Sequence, residues 1–394
     1  MRVCHVVYAY FPADPRVRRE VDSLRAAGNE VDVICLRGEG DASAETIRGT
    51  RVVRVPLQAR RGGALRYAFQ YALFFLLSTV QLLVLHRRRA FRAVHVHSLP
   101  DFQIFCAFPL KLRGVPLILD LHEALPEIVM ARLRLDAASI LVRLSRVAEC
   151  LSIRFADRVI TVNEAIKGLI SERSGRDDVV VVMNSPDAHA LQAGDSGALK
   201  RHLGLNSNPA LVYVGGINPE RDLETLLRAI SLLRDRFPIQ VVIAGYGEPG
   251  YLASVRDFAS GLHLLDSVQF LPRIPQHDVL TYLHLSSFGV VSYQENPLTQ
   301  VAVPTKVFEY AAAGKPMAMA RLRALSALFE DAAEFFRPGD AADLAAAIER
   351  ILTDEGRSRQ FVAKARDVLE QCSWAVMETR LLSVYRSLGG ISGI

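Results

Sequence analysis

The sequence predicts an α/β protein made of two doubly wound, Rossmann-like domains facing a central cleft. Three observations carry this. Short β-branched apolar runs alternate with helical patterns, the alternation pauses once at a polar Gly/Asp-rich stretch over 184–197, and it then resumes. At 394 residues, with 50% hydrophobic and 23% charged content, the chain can bury two cores.

In the first half the strand-like runs are 3–8, 31–36, 94–97, 117–121, 159–162 and 179–183. They are apolar on both faces, as strands of a parallel sheet covered on both sides must be. Helical patterns fall between them, over 16–27 before Gly28 and over 140–155. After the pause, runs at 211–214, 241–244, 268–271, 288–291 and 317–319 supply a second set. The expected organisation is 1–187 for the first domain, 188–372 for the second, and a final segment, 373–394. The five cysteines, Cys4, Cys35, Cys106, Cys150 and Cys372, are scattered, odd in number and without a C-x-x-C pair, so disulfides and a structural zinc are not expected. The first residues enter a strand-like run with no apolar signal segment, which reads as a cytoplasmic start.

The segment 304–316, PTKVFEYAAAGKP, reads as a short helix punctuated at both ends, with Pro304 in its first turn and Gly314 and Pro316 as a stop. Its N-terminal amides, at Thr305 and Lys306, together with the lysine charge suit a phosphate or diphosphate. Glu309, one turn in, suits the vicinal diol of a ribose. Ligands of such sheets bind beyond the carboxyl ends of the strands. In the second half those positions hold Gly215, Gly216, Arg221 and Gly245, where glycine permits close approach to a phosphate and arginine neutralises it. In the first half they hold His97, Asp101, Asp120 and His122. His95 and His97 share a strand face, but no third ligand has metal-site spacing, and no metal is expected.

Charge is uneven. Residues 1–185 carry 27 Lys+Arg against 19 Asp+Glu, and the remainder 20 against 23. Within the basic half, 46–100 holds ten arginines and no acid, and 68–85 is 18 uncharged residues. That approaches a membrane span, but the flanking runs 52–55 and 94–97 look like strands of one sheet, which a span would place on opposite sides of a bilayer. The helix is instead expected to be mostly buried, with one distinctive face against an anionic membrane surface; the alternative is a core helix whose polar stripe meets water. At 100° per residue Arg66, Gln70, Gln81 and Arg88 form one stripe with Phe74 and Leu77 at its centre, and Arg87, Arg88 and Arg89 close the helix. Nucleic acid is a poor partner, because aromatic residues do not interleave with the basic ones.

Taken together, the chain resembles the nucleotide-sugar-dependent retaining glycosyltransferases of family 4, or group 1, which have the two-domain GT-B fold. The resemblance rests on Asp14-Pro15-Arg16-Val17-Arg18-Arg19-Glu20, Leu119-Asp120-Leu121-His122-Glu123, Tyr213-Val214-Gly215-Gly216, the 304–316 segment and Ser373-Trp374. It implies that Glu309 holds the donor ribose, that the Thr305 and Lys306 amides meet the distal phosphate and sugar, and that Arg221 clamps the diphosphate. It further implies that backbone groups at Ile274 read the base, that His122 contacts the transferred sugar, and that the final helix crosses back to the first domain. Such enzymes usually need no metal, because fixed positive groups stabilise the departing diphosphate. Arg16, Arg18 and His97 are candidates for the acceptor side, with simple solvation of the first helix an equal reading for the two arginines.

Three departures stand out. A glutamate common eight positions before Glu309 is Val301, for which Glu295 or Asn296 would have to substitute; Gly216 stands where an arginine often follows; and Ala13-Asp14-Pro15-Arg16 replaces paired glycines in the first loop. The expected function is transfer of a sugar from a nucleoside diphosphate sugar to a lipid-linked or surface-polysaccharide acceptor, by an enzyme peripheral on the inner face of the cell membrane. The alternatives are a sugar-nucleotide epimerase of the same architecture and a catalytically silent donor-binding subunit.

Overall fold

The computed structural model describes residues 1–60, 62–185 and 194–389. Two compact units are present: Met1–Asn184 with the C-terminal segment from Ala375, and Ser185–Trp374. The first seam expected from sequence, at 187/188, lies outside the described residues.

In the first unit eight strands form one sheet: β1 (Arg2–Val6), β2 (Glu30–Leu36), β3 (Ala44–Ile47), β4 (Thr50–Val55), β5 (Ala93–His97), β6 (Leu117–Leu121), β7 (Arg158–Thr161) and β8 (Val180–Val181). Their order is β3-β4-β2-β1-β5-β6-β7-β8, parallel except for β3, which pairs antiparallel with β4. The sequence gives little sign of β3 because Ala44, Glu45 and Thr46 sit exposed at the sheet edge and need not be apolar. Asp14 caps the helix Pro15–Ala26, accepting from the amides of Arg16 and Val17 at 3.0 Å each.

The helix Ala64–Arg89 is long and apolar enough to cross a membrane, yet β4 before it and β5 after it lie in the same sheet. It packs on that sheet, and the stripe expected to face lipid is the one that packs. Phe74 is fully buried edge-on against Tyr8, with ring centroids 5.2 Å apart, and Gln70 is buried, accepting from the Arg60 amide at 2.7 Å. Phe74 is therefore a core residue, and Leu77 is half-buried. The outward stripe, about 100° round the helix, is Leu65, Phe69, Leu76, Val80 and Val84. Arg89 is occupied by ion pairs to Glu30 and Asp32, whereas Arg66, Arg87 and Arg88 are exposed. Periodicity locates stripes on a helix that is apolar nearly all round; only packing decides which one turns inward.

The second unit contains β9 (Ala210–Ile217), β10 (Gln240–Gly247), β11 (Val268–Leu271), β12 (Gly289–Val291), β13 (Met317–Ala320) and β14 (Glu334–Phe336). They form two parallel three-stranded sheets, β11-β10-β9 and β12-β13-β14. Serines join β9 to the start of β12. The Ser287 amide donates to the Ala210 carbonyl at 2.7 Å, and Ser286 Oγ accepts from the Val212 amide at 2.7 Å. The glycines expected beyond the strand ends instead continue the ladder, with Gly245 opposite Gly215.

Candidate functional site

The second unit holds a cavity of about 280 Å³ lined by all eight residues expected to bind a donor: Gly215, Gly216, Arg221, Gly245, Ile274, Thr305, Lys306 and Glu309. Its floor is fixed by the helix Thr305–Ala312. Pro304 is the N-cap residue of this helix rather than its first helical residue. The fully buried Tyr310 anchors it, donating to the Val212 carbonyl of β9 at 2.8 Å, and Gly314, with φ of 66°, ends it.

Lys306 is the focus of the cavity. Its Nζ is buried, makes no hydrogen bond and lies 2.9 Å from the centroid of the Tyr213 ring. Burial holds the ammonium well below the usual lysine range; Arg221 adds repulsion, and Glu309 opposes both. An ammonium in that state lacks a hydrogen-bonded partner, and a phosphate would supply one. Glu309 is also buried, its carboxyl raised by burial while Lys306 and a hydrogen bond from Gln276 act the other way. Arg221 stacks on Tyr293, 4.2 Å from its centroid. Arg273 and Tyr246, stacked at 5.2 Å, complete a cationic and aromatic wall that the sequence reading passed over. The available signal was position, since Arg273 lies just past β11 and directly before Ile274.

The backbone is equally constrained. A Cβ on Gly245 would fall 1.8 Å from the Gly215 carbonyl oxygen, so no side chain fits without parting β9 from β10. Gly245→Ala is expected to lower the melting temperature and weaken nucleoside diphosphate binding at least tenfold. A folded variant with wild-type affinity, by calorimetric titration, would show that this close approach is unimportant.

The proposed substitutes for the missing carboxylate lie elsewhere. Val301 is buried in the Thr299–Val301 turn. Asn296 Oδ1 accepts from the Thr299 amide at 3.0 Å, and Glu295 accepts from Gln300 at 2.9 Å. Neither lines the cavity.

In the first unit, His122 follows β6 with its side chain 20% exposed. Its Nε2 lies 3.1 Å from Asp120 Oδ2. The neighbouring His97 Nδ1 is 3.2 Å from the same oxygen, and His97 Nε2 is 2.9 Å from His5 Nδ1. Tyr385, on the helix Trp374–Arg386, reaches His5 Nε2 at 3.4 Å and His95 Nδ1 at 2.6 Å. The contacts among Tyr385, His5 and His97 can run in either polarity, whereas an ionised Asp120 can only accept, so His122 donates its Nε2–H to it. Nδ1 is then the ring nitrogen of His122 turned away from Asp120.

Arg16 closes the cluster from behind. It donates to both Asp120 oxygens at 2.9 and 2.7 Å and to the Val182 carbonyl at 2.7 Å, and it pairs with the buried Glu20 at 3.2 Å. Two acceptor-side expectations are thereby corrected. Arg16 and His97 are fully buried in this network and serve Asp120, leaving Arg18 as the exposed member of the three. The structure also supplies what residue spacing could not. Ligand-type atoms of His5, Glu20, His95 and His97, and separately of His97, Asp120 and His122, lie within 4.8 Å of one another. Hydrogen bonds to Asp120 account for the His97, Asp120 and His122 group, while in the other group Arg16 supplies a cation beside Glu20, whose oxygens, like His95 Nε2, make no hydrogen bond.

A cationic, glycine-edged cavity at a helix N-terminus, on a parallel α/β unit, is an arrangement that suits a phosphorylated ligand. Family comparison agrees. "Glycosyl transferase 4-like domain" matches residues 13–185 and "Glycosyl transferases group 1" matches residues 197–368. The chain belongs to the group 1, family-4-like glycosyltransferases. It is 28% identical over 226 residues to the D-inositol 3-phosphate glycosyltransferase of Stackebrandtia nassauensis, covering 54% of this chain and 49% of that protein. The chain thus spans about half the length of such curated relatives. Its fold is GT-B. It is similar to sucrose-phosphate synthase from Thermosynechococcus elongatus (TM-score 0.80, 18% identity, 99% of each chain). It is also similar to Anabaena Alr3699/HepE in complex with UDP-glucose (TM-score 0.73, 15% identity, 98% of this chain and 100% of that one).

Proposed function

We propose that the chain is a retaining, metal-independent glycosyltransferase that moves a sugar from a nucleoside diphosphate sugar to a lipid-linked or surface-polysaccharide acceptor on the inner face of the cell membrane. The observation that carries the donor assignment is the buried Lys306 ammonium with no hydrogen-bond partner, at the entrance of the Thr305–Ala312 helix with Glu309 one turn in. Lys306, Arg221 and Arg273 would stabilise the leaving diphosphate without a metal, and Glu309 would take the ribose. A uridine nucleotide is the first donor to try, by analogy with Alr3699/HepE. His122 receives a hydroxyl of the reacting sugar through Nδ1. The membrane assignment draws on the apolar outward stripe and exposed arginines of the Ala64–Arg89 helix.

The test is incubation with UDP-, GDP- and ADP-sugars, with and without EDTA and a membrane lipid extract. Release of one nucleoside diphosphate, accelerated by lipid and unaffected by EDTA, is expected. A changed sugar without acceptor would indicate an epimerase, and no turnover despite binding a silent subunit. His122→Ala is expected to cut turnover by about 100-fold and leave the diphosphate dissociation constant within about twofold. Equal losses in both would make His122 structural.

A further inference from the structure

The helix Ile140–Phe155 is built inside out. Its inward face carries Ser145, Glu149 and Ser152 beside Val142 and Ile153. Its outward face carries Ile140, Leu141, Leu144, Val147 and Leu151, each between 50% and 73% exposed. The inward polar groups are satisfied within the protein. Ser145 and Ser152 donate to the carbonyls of Val142 and Ala148 at 2.8 Å each, and Glu149 pairs with Arg173 at 3.2 Å. The apolar face is left at least half exposed, the reverse of what a soluble helix normally shows.

This helix shares a layer with Ala64–Arg89. Both pack on the Asp101–Ala107 turn, through Phe75 against Phe102 on one side and Phe105 against Phe155 on the other. Exposed Phe108 and Leu112 add to the apolar surface just past that turn. Over 65–155 the exposed charged side chains are nine arginines, Arg66, Arg87, Arg88, Arg92, Arg113, Arg132, Arg134, Arg143 and Arg154, against two acids, Glu123 and Asp136. Arg143 and Arg154 lie along one edge of the outward apolar stripe.

We infer that the outward face of Ile140–Phe155 is a second membrane-docking element, which joins the Ala64–Arg89 stripe in seating the first unit on an anionic bilayer. The inference rests on the peripheral-membrane reading above and deepens it by naming the surface. Leucine, isoleucine and valine enter the acyl boundary while the arginine edge meets anionic headgroups. A second copy of the chain fits less well, because antiparallel self-pairing would set arginine edge against arginine edge.

The test is co-sedimentation of the full chain with phosphatidylcholine vesicles, with and without phosphatidylglycerol. One variant combines Leu144→Ser, Val147→Ser and Leu151→Ser; a second combines Arg143→Glu and Arg154→Glu; a third carries Phe69→Ser and Leu76→Ser on the other helix. Wild type is expected to prefer the anionic vesicles. The triple variant should bind them at least tenfold more weakly, and the charge variant should lose the preference. UDP binding and circular dichroism should not change, since none of these residues lines the donor cavity. Unchanged vesicle binding by the triple variant overturns the inference. If the Phe69/Leu76 variant alone loses binding, the peripheral reading stands and this surface does not. A wild-type dimer that the triple variant dissociates, with no vesicle binding, would assign the face to a second copy.

Discussion

Replacing Lys306 with methionine is expected to raise the dissociation constant of the cognate nucleoside diphosphate by about 10- to 150-fold, as loss of a charge-assisted hydrogen bond does, without lowering stability. The second half of that expectation is the unusual one. In the empty cavity the ammonium is buried without a hydrogen-bond partner, so the folded protein bears a desolvation cost that an apolar side chain of similar length removes. The pH dependence follows from the same depression. The empty protein loses the Lys306 proton at a pH below the usual lysine value of about 10.4, and a bound diphosphate raises that threshold. Between the two values binding must take up a proton, so affinity falls as pH rises, by up to about tenfold per unit. Lys306→Met should flatten this dependence. Titration calorimetry with UDP, GDP and ADP between pH 6.5 and 9.5 checks both points. Lost stability with unchanged affinity would make Lys306 a packing residue.

The lining of the second-unit cavity was legible in the sequence because its chemistry is local. Thr305, Lys306 and Glu309 sit on one helical turn, and Gly215, Gly245 and Ile274 lie at or just past the carboxyl-terminal ends of β9, β10 and β11, so periodicity and topology together place them around one cavity. The cluster in the first unit was not legible. His5, Arg16, Glu20, His97, Asp120 and Tyr385 come from five separate elements, and no residue spacing records that the register of β1 and β5 sets His5 beside His95. Arg16 read as a candidate for an acceptor because an arginine at a helix start is normally solvated; its burial depends on Asp120, 104 positions away. Phe74 failed for a different reason. A helix apolar on most sides offers several equivalent stripes, and the sheet beneath it selects one.

The two carboxylates that flank Arg16 should respond oppositely to neutralisation. Asp120 accepts from Arg16, His97 and His122, and despite its burial these partners hold its carboxyl well below the usual range. Glu20 has no hydrogen-bond acceptor role; burial, then the neighbouring Asp120, push its carboxyl well above. Asp120→Asn should therefore leave the guanidinium without its ion-pair partner and cost about 3–5 kcal/mol, whereas Glu20→Gln should be close to neutral at pH 7. The signs with pH differ as well. Asp120 contributes stability above its unfolded value of about 3.9, and this is lost as pH falls through its depressed folded value. The Glu20 contribution is complete below its unfolded value of about 4.3 and is lost as pH rises toward its elevated folded value. Glu20→Gln should thus gain on wild type between pH 5 and 7.5. Urea unfolding followed by circular dichroism at both pH values measures this. Equal destabilisation by the two variants would mean that both carboxylates are charged and that Arg16 balances them jointly. With Asp120 as the single anion, the same residue that holds the fold together also fixes which nitrogen His122 presents. Asp120→Asn should then reduce turnover beyond what its loss of stability explains, when both are measured well below the unfolding transition.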